Sequence, residues 1–363
     1  MENTEQALHH PTTASTRLAL NFIGKLDEIS TTKKLHPGMM ITLLANYNFH
    51  DKDMPAYVFN NIDFTKEWET PEDPEIAAQA VRRIKNGKVH IERTVREDIG
   101  IYKLQYNEVR GYRPKRHATA NTIAIDQPFD KNKFHLGKKE VEPGIFQSED
   151  MNGIKMDFII NRYPFAPYHF LLVPERKKNH NQYLDPKNDR HILDASWSLV
   201  KELGKGAMLG YNANGAHASV NQLHFQGFMY LRSWQLPIEK TLMNMDLKRS
   251  QPLDKYLPGG RWISKTDGID GLCDAIAEMN ARSKKEHLSY NFSLKPQGIA
   301  FFPRRHQSHP EYLTVLQKTD FTTGLAFFEM HGEIICPIKD ISLYRRQYLS
   351  KEIEKTYHAA ALQ

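Results

Sequence analysis

The sequence lacks long apolar runs and is poor in cysteine. None of its 363 residues belongs to a stretch of 18 or more apolar residues, so no membrane-spanning helix is predicted and no membrane partner is expected. Its two cysteines, Cys273 and Cys336, lie far apart, which excludes a disulfide framework and a paired-cysteine zinc site. The first 17 residues are polar and lack the apolar centre of a secretory signal. These absences predict a protein of the cytoplasm.

A strong excess of charge of one sign is also missing. The 49 basic and 43 acidic residues give a formal net charge of +6, spread evenly along the chain. Such a weak positive balance helps to attract a polyphosphate, but it predicts no specific binding to nucleic acid. With 40% hydrophobic and 25% charged residues, the composition is that of a globular protein, long enough for two ordinary domains or one large one.

The order of patterns predicts a loose arm followed by two larger parts. Residues 1–36 mix Thr, Ser, His and Lys without periodicity, and we interpret them as the arm. Residues 37–240 contain strand and helix signals, and residues 241–363 repeat part of their order. Strands are predicted over 39–47, 156–161, 169–173 and 220–231, and helices over 73–87, 189–205 and 269–282. The repetition leaves open whether the chain is a diverged duplication.

Three polar side chains alternate with two apolar ones in segment 222–226. In a strand, Gln222, His224 and Gln226 would share one face, while Leu223 and Phe225 would point into the core. That arrangement is typical of a half-buried strand that lines a pocket. A strand whose polar face simply meets water has the same pattern, so the pattern alone does not decide between the two.

The residues before this segment favour the pocket. The stretch from Asn212 to Ser219 is rich in Gly, Ala, Asn and Ser, and such a loop lets backbone N–H groups approach an anion closely. Upstream, His169 stands at the start of a predicted strand that ends in Val-Pro. The segment also has Gln226 where a hydrolytic triad would have its third histidine.

The succession of these features resembles the transferase branch of the histidine-triad superfamily. That branch includes galactose-1-phosphate uridylyltransferase and diadenosine tetraphosphate phosphorylase. The likeness extends furthest to the GDP-hexose phosphorylases, which act on GDP-L-galactose in plants and GDP-D-glucose in animals. Four stretches carry it, LQYNEVRG (104–111), QPFDKNKF (127–134), LGYNANGAHASVNQLHFQGFMYL (209–231) and LPIEK (236–240).

The resemblance implies an α+β fold, with an antiparallel sheet that carries helices on one side. It further implies two fused histidine-triad-like halves. Residues 37–240 would form the catalytic half. Residues 241–363 would form a second, non-catalytic half, because they have no counterpart of the polar row at 222, 224 and 226.

The resemblance also implies a reaction. His224 would attack the α-phosphorus of a GDP-hexose, expel hexose 1-phosphate and leave a guanylyl-histidine, which inorganic phosphate then converts to GDP. A neutral imidazole is a competent nucleophile near pH 7, because its usual pKa is about 6.5. Gln226 would donate its amide N–H to a phosphate oxygen in the transition state. No cofactor is expected.

Further substrate contacts are expected around this catalytic pair. The predicted residues are Asn214, Gly215 and Ser219 in the loop, Asn221 and Gln222 beside the histidine, and His169 and Arg110 upstream. His169 also fits a structural hydrogen-bonding role. Arg110, like Arg113 and Arg116 nearby, also fits a solvated loop.

Two positions depart from the family pattern. Family members usually have His where this chain has Gln222, and in some uridylyltransferases that His binds a metal, so no metal is expected here. His217 replaces an aromatic or small residue, and either a surface position or a contact to the sugar phosphate fits it. Three functions stay open: a GDP-hexose phosphorylase, a dinucleoside polyphosphate phosphorylase, and a nucleotide-binding regulator without turnover. A homodimer is compatible with each.

Overall fold

The structure is a computed structural model. It describes residues 11–50, 54–63, 65, 73–111, 124–230, 234–253, 259–319, 322, 324–336 and 343–362. Arg113 and Arg116, which the sequence analysis noted beside Arg110, lie outside the described residues. Among the helices of the described part, none is both long and apolar enough to cross a membrane.

The described helices run from the N-terminal region to the last residues. They are α1 (Thr13–Thr31), α2 (Pro37–Phe49), α3 (Asp73–Arg82), α4 (Glu108–Gly111), α5 (Arg190–Leu203), α6 (Pro237–Leu242), α7 (Gly268–Glu286), α8 (Pro310–Gln317) and α9 (Leu343–Ala360). The predicted helices over 189–205 and 269–282 are confirmed as α5 and α7. Gly204, with a positive φ of 86°, ends α5 where no side chain larger than hydrogen is favoured.

The described strands belong to one large sheet and two small ones. They are β1 (Met54–Pro55), β2 (Ile84–Lys85), β3 (Lys88–Val89), β4 (Val95–Ile99), β5 (Tyr102–Tyr106), β6 (Ile145–Met151), β7 (Ile154–Ile160), β8 (Phe170–Pro174), β9 (Ala207–Asn212), β10 (Phe225–Met229), β11 (Gln251–Pro252), β12 (Arg261–Ser264), β13 (Leu288–Lys295), β14 (Gly298–Arg305) and β15 (Glu333–Cys336).

Nine of these strands form the large sheet, in the order β11-β12-β14-β13-β9-β10-β8-β7-β6, with antiparallel neighbours throughout. The two sequence halves meet where β9 pairs with β13, so that Asn212 lies opposite Asn291. Helix α5 packs on β9 and β13, and α7 packs on β13 and β14. The predicted antiparallel α+β fold is therefore confirmed.

The N-terminal region differs from the sequence prediction. Within the expected loose arm, residues 13–31 form α1, which begins with a capping box in which Thr12 and Ser15 bond each other's backbone N–H groups. Leu18, Phe22 and Leu26 recur every four residues on one buried face of this helix. This apolar period is present in the sequence, but the many Thr and Ser residues around it favoured the interpretation as an irregular arm.

The predicted strand over 39–47 is also wrong, because Pro37–Phe49 is helix α2. All 13 of its residues are buried, so the segment is apolar on every side and shows no helical period. Pro37 at the first helical position and His36, whose Nδ1 accepts the Gly38 N–H at 3.1 Å, start the helix. Leu18 and Phe22 of α1 share one apolar core with this helix and with the sheet.

The segment that contains His224 is less regular than predicted. A strand was expected over 220–231, but β10 begins only at Phe225 and ends at Met229. Residues 213–224 form a loop of turns and bends between β9 and β10. The loop is the part of the fold that positions the site.

Candidate active site

A cavity of about 340 Å³ opens on one face of the large sheet, where β7, β8 and β10 lie side by side. Ile159, Leu171 and Gln226 are register partners on these strands, and all three line the cavity. His224 lines it as well, although it precedes the strand. The sheet and the residue before β10 therefore present the predicted catalytic pair to the same cavity.

The alternation predicted from the sequence holds for the residues next to the strand. Gln226 faces the cavity, while Phe225 packs on the other side of the sheet, with its ring centroid 5.8 Å from that of Tyr211. Position 227 has no room for a side chain, because a Cβ there would lie 2.3 Å from the Phe170 ring. Close packing at Gly227 thus fixes the strand that carries Gln226.

A buried glutamine that the sequence analysis missed holds the backbone of His224. The Gln182 Oε1 accepts the His224 N–H at 2.9 Å, and its Nε2 donates to the His224 carbonyl at 3.2 Å. Gln182 is fully buried. Its side-chain amide satisfies the backbone N–H and C=O groups of His224, as the backbone of a neighbouring strand would in a sheet. Its position, 42 residues upstream, gave no sequence signal.

The protonation of His224 follows from its hydrogen bonds. Its Nδ1 lies 2.7 Å from the backbone carbonyl oxygen of Gln222, and a carbonyl can only accept, so Nδ1 carries the ring proton. Burial lowers the pKa of His224 below its usual value, against a smaller rise caused by the Gln222 carbonyl. The resting ring is therefore neutral, and Nε2 keeps its lone pair. That is the form in which imidazole acts as a nucleophile.

His169 does not line the cavity but contacts a residue that does. It hydrogen-bonds the Gln226 side chain, and its Nδ1 accepts the backbone N–H of Phe165 at 3.2 Å. The Asn161 amide lies 3.0 Å from its Nε2. Burial, and then the charge of Arg110, hold the pKa of His169 well below its usual range. His169 therefore acts as a neutral residue that fixes the position of Gln226.

Asn212 is a cavity residue that sequence reasoning did not select. Its Oδ1 accepts from the Phe327 N–H and from the Asn291 side chain, both at 2.7 Å. Its buried Nδ2 has no partner among the described residues, and the side chain lines the cavity. A buried donor without a partner favours an anionic or carbonyl ligand. Its place at the end of β9 was the signal that could have found it.

Among the predicted substrate contacts, Ser219 and Arg110 line the cavity. Ser219 is an exposed residue of the loop, as its proposed role required. The Arg110 Nη1 donates to the Tyr163 carbonyl at 2.8 Å, and its guanidinium lies 5.9 Å from the centre of the Phe165 ring. The arginine is thus held at the edge of the cavity by the segment between β7 and β8.

The other predicted contacts brace the surrounding loops and are not among the residues that line the cavity. The Asn214 carbonyl accepts a hydrogen bond from the Ser289 hydroxyl at 2.7 Å, and the Gly215 carbonyl accepts one from the Gln307 N–H at 2.6 Å. Asn221 donates to the carbonyls of residues 127 and 128 at 3.0 and 2.8 Å. The amide of Gln222 binds the carbonyl of residue 176 and the N–H of residue 137. The alternation of side chains expected in a strand does not extend to Gln222, because β10 begins three residues later.

The second half contributes to the cavity as well. Ala326 and Glu329 line it, although residues 241–363 were expected to be non-catalytic. Burial raises the pKa of Glu329 to about 7, while Arg110 opposes that rise. Its Oε2 accepts the Ala326 N–H at 3.0 Å. No sequence pattern connected these residues with the His224 segment.

Within the described residues, no group of three or more His, Cys, Asp or Glu side chains is placed to hold a metal ion. The residues that line the cavity include two imidazoles (His217 and His224), two guanidinium groups (Arg110 and Arg162), two carboxyl groups (Glu140 and Glu329) and the amides of Asn212 and Gln226. Such a set suits an anionic substrate attacked by a nitrogen nucleophile.

Comparison with known sequences relates the chain to one group of enzymes. Residues 92–228 match the family described as GDPGP1-like, N-terminal domain. GDP-L-galactose phosphorylase 2 of Arabidopsis thaliana is 28% identical over 264 residues, which cover 65% of this chain and 59% of that protein. GDP-D-glucose phosphorylase 1 of Homo sapiens is 31% identical over 168 residues, which cover 44% of this chain and 39% of that protein. The chain thus spans between 39% and 59% of the length of these relatives.

A comparison with solved structures finds a protein of similar fold. The crystal structure of yeast Ap4A phosphorylase Apa2 in complex with Ap4A superimposes with a TM-score of 0.51 and 14% sequence identity, covering 80% of this chain and 95% of that one. This likeness shows the fold alone. The predicted resemblance to the GDP-hexose phosphorylases and the predicted histidine-triad fold are confirmed. The two fused half-units stay a prediction.

Proposed function

We propose that this chain, whose residues 92–228 match the GDPGP1-like family, is a GDP-hexose phosphorylase with His224 as its nucleophile. The observation that carries the proposal is the 2.7 Å contact between the His224 Nδ1 and the Gln222 carbonyl. It leaves an unprotonated Nε2 on a buried ring that lines the cavity. The names of the relatives, with 28–32% identity, supply the substrate class.

The first step transfers the nucleotide to the protein. The Nε2 lone pair of His224 attacks the α-phosphorus of the GDP-hexose, and the bond from that phosphorus to the bridging oxygen breaks. Hexose 1-phosphate leaves with the bond electrons. The ring then carries a positive charge, which the Gln222 carbonyl stabilises through the Nδ1–H.

The second step returns the nucleophile. An oxygen of inorganic phosphate attacks the phosphorus of the guanylyl-histidine, the phosphorus–nitrogen bond breaks, and GDP leaves. His224 recovers its lone pair, so protons and electrons balance without a further reactant. Splitting one difficult displacement into two easier ones is the general advantage of covalent catalysis.

Gln226 fits transfer to phosphate better than hydrolysis. A phosphate leaving group and an incoming phosphate are already anionic, so neither step needs a side chain that exchanges a proton. A Gln amide can donate a hydrogen bond to a phosphate oxygen but cannot deprotonate water. Asn212, with its unpartnered buried Nδ2, and Arg110 would add further donors around the phosphates.

The division of labour along the chain forms part of the proposal. Residues 37–240 supply the nucleophile, Gln226 and Arg110, while residues 241–363 close the cavity with Ala326 and Glu329. The second half is therefore assigned a binding role without a nucleophile. None of the described residues 11–36 lines the cavity.

The experiment compares labelled nucleotides on the purified chain. With GDP-hexose labelled in its α-phosphate, we expect about one label per chain on denatured protein, released as GDP when inorganic phosphate is added. Labelling from diadenosine tetraphosphate instead would support the dinucleoside polyphosphate phosphorylase. Labelling from neither, with retained nucleotide binding, would support the regulator and contradict the proposal.

A further inference from the structure

His217 occupies an unusual backbone position in the cavity lining. It lies in the loop between β9 and β10 with a φ of +66°, in the left-handed region that residues other than glycine rarely adopt. Its backbone N–H donates to the Gln307 Oε1 at 2.8 Å. Since Gln307 also donates its own N–H to the Gly215 carbonyl at 2.6 Å, the second half holds this turn at two points.

The imidazole of His217 is held as firmly as its backbone. The Nε2 lies 3.0 Å from the Tyr312 hydroxyl, and the two rings meet edge to face. Beside the ring lies Gly324, where a Cβ would come within 2.2 Å of the imidazole Cε1. Residue 324 must therefore be glycine for the ring to take this place.

The partners of Tyr312 determine which nitrogen of His217 carries the proton. The Tyr312 oxygen already accepts the Leu325 N–H at 2.9 Å, and the buried hydroxyl needs an acceptor for its own proton. The His217 Nε2 is that acceptor, so the ring hydrogen is on Nδ1. Burial, with the charges of Arg304 and His306, holds the pKa of His217 well below its usual range, so the ring is neutral.

The result is a fixed N–H donor in the same cavity as the nucleophile. No hydrogen bond from the His217 Nδ1 to another described residue is found, whereas Nε2 is engaged. The ring is anchored from residues 307, 312 and 324, on the side where Ala326 and Glu329 close the cavity. His224 and Gln226 face the cavity from the opposite half of the chain.

We propose that the His217 Nδ1–H binds the phosphate group that is not attached to the nucleoside. The inference rests on the proposed function. In an in-line displacement at the α-phosphorus, the leaving group departs on the side away from the nucleophile, and the incoming group arrives there. Hexose 1-phosphate and inorganic phosphate therefore use one subsite in turn, and His217 belongs to that subsite.

The first test removes the donor and keeps an aromatic ring. His217→Phe should raise the KM for inorganic phosphate, and its Kd for the resting enzyme by titration calorimetry, by about tenfold or more, the usual effect of a hydrogen bond to a charged group. The final amount of nucleotidyl-enzyme formed from labelled GDP-hexose should stay near one per chain. His191→Phe, at an exposed site on α5, is the matched control and should change neither value.

A second pair of variants guards against misfolding. His217→Asn tolerates the left-handed backbone and should give a similar loss of phosphate affinity, because its shorter amide does not reach the same place. Tyr312→Phe keeps the imidazole of His217 but removes the hydroxyl that fixes the ring proton on Nδ1. It should raise the KM for phosphate by about threefold.

The outcomes separate this inference from the proposed function. If the wild-type chain forms labelled protein but His217→Phe and His217→Asn leave the KM and Kd for phosphate within about twofold, the inference is overturned. If the wild-type chain takes up no label, the proposed function fails. In that case a phosphate Kd that weakens only in the His217 variants would still support the subsite.

Discussion

Strands β13 and β14 of the second half are eight residues long, and every residue in them except Arg305 is buried. Strands β8 and β10 of the first half have five residues each, and one residue in each is partly exposed. Those two residues, Leu171 and Gln226, are register partners and line the cavity. The strands of the second half thus use their side chains for packing, while the strands of the first half also turn side chains toward the cavity.

The comparison predicts that activity and stability depend on different strands of the sheet. Substitutions at the cavity-facing residues of the first half should change activity more than folding. Substitutions inside β13 and β14 should do the reverse. A substitution at Leu171 or Gln226 that mainly unfolds the chain, or one inside β13 or β14 that mainly lowers activity, would contradict this division.

The largest effect is expected from His224→Ala. Loss of the nucleophile should abolish the nucleotidyl-enzyme and lower turnover by about 10⁴-fold or more, because no described neighbour can replace an in-line nitrogen. The unfolding midpoint in urea should fall only slightly. His191→Ala, at the exposed site on α5, is the matched control. Release of hexose 1-phosphate at near wild-type rates would show that the assignment is wrong, and His224→Gly with added imidazole tests for rescue.

A substitution in β14 should have the opposite profile. Phe301 is fully buried, with its ring centroid 5.5 Å from that of Tyr290, and it does not line the cavity. Phe301→Ala should lower the free energy of unfolding by about 3–5 kcal/mol, through lost burial and the space left behind. Urea unfolding measures this. The nucleotidylation rate per folded molecule should stay within about threefold of the wild type; a tenfold loss would break the comparison.

The next effect is expected at Gln226, a residue of β10 that lines the cavity. Gln226→Ala should lower kcat by about 100–1000-fold while the fold is kept, the usual result of removing one transition-state donor. Gln226→His is the more informative variant. It restores a side chain that can accept a proton, so hydrolysis of the nucleotidyl-enzyme should rise relative to phosphorolysis. An unchanged ratio would mean that Gln226 does not control the choice between water and phosphate.

The sequence predicted the regular parts of the fold and the centre of the site. Helices α5 and α7 and strands β7 and β8 lie close to their predicted positions, because their apolar periods are clear. Helix α2 was mistaken for a strand because a segment buried on all sides has no period to read.

The site was predicted in part for the same kind of reason. His224 and Gln226 line the cavity as expected, because alternation holds up to one residue before the strand. Gln222 lies beyond that limit. Asn212, Gln182 and Glu329 act through contacts that join segments distant in sequence, and no local pattern reports such contacts.

The smallest predicted effect concerns pH, and two groups in the cavity contribute to it. Only neutral His224 can attack, and its pKa lies below 6.5 because of burial. Lowering the pH through 6.5 should therefore cause no loss of His224 reactivity in the first half-reaction, and the rate should fall only at lower pH, when the ring protonates. The labelled nucleotidyl-enzyme formed before steady state measures this step without the titration of inorganic phosphate.

Glu329 adds a separate step in the same experiment. Its pKa is raised to about 7, so lowering the pH through 7 converts it from an anion to a neutral acid. A carboxylate in the cavity repels an anionic substrate, and its neutralisation should raise kcat/KM by about threefold as the pH falls, against the attraction that Arg110 supplies. Glu329→Gln should remove this rise and leave the His224 profile unchanged. A fall centred at 6.5 that persists in Glu329→Gln would show that burial does not keep His224 neutral, and that the ring titrates as it would in water.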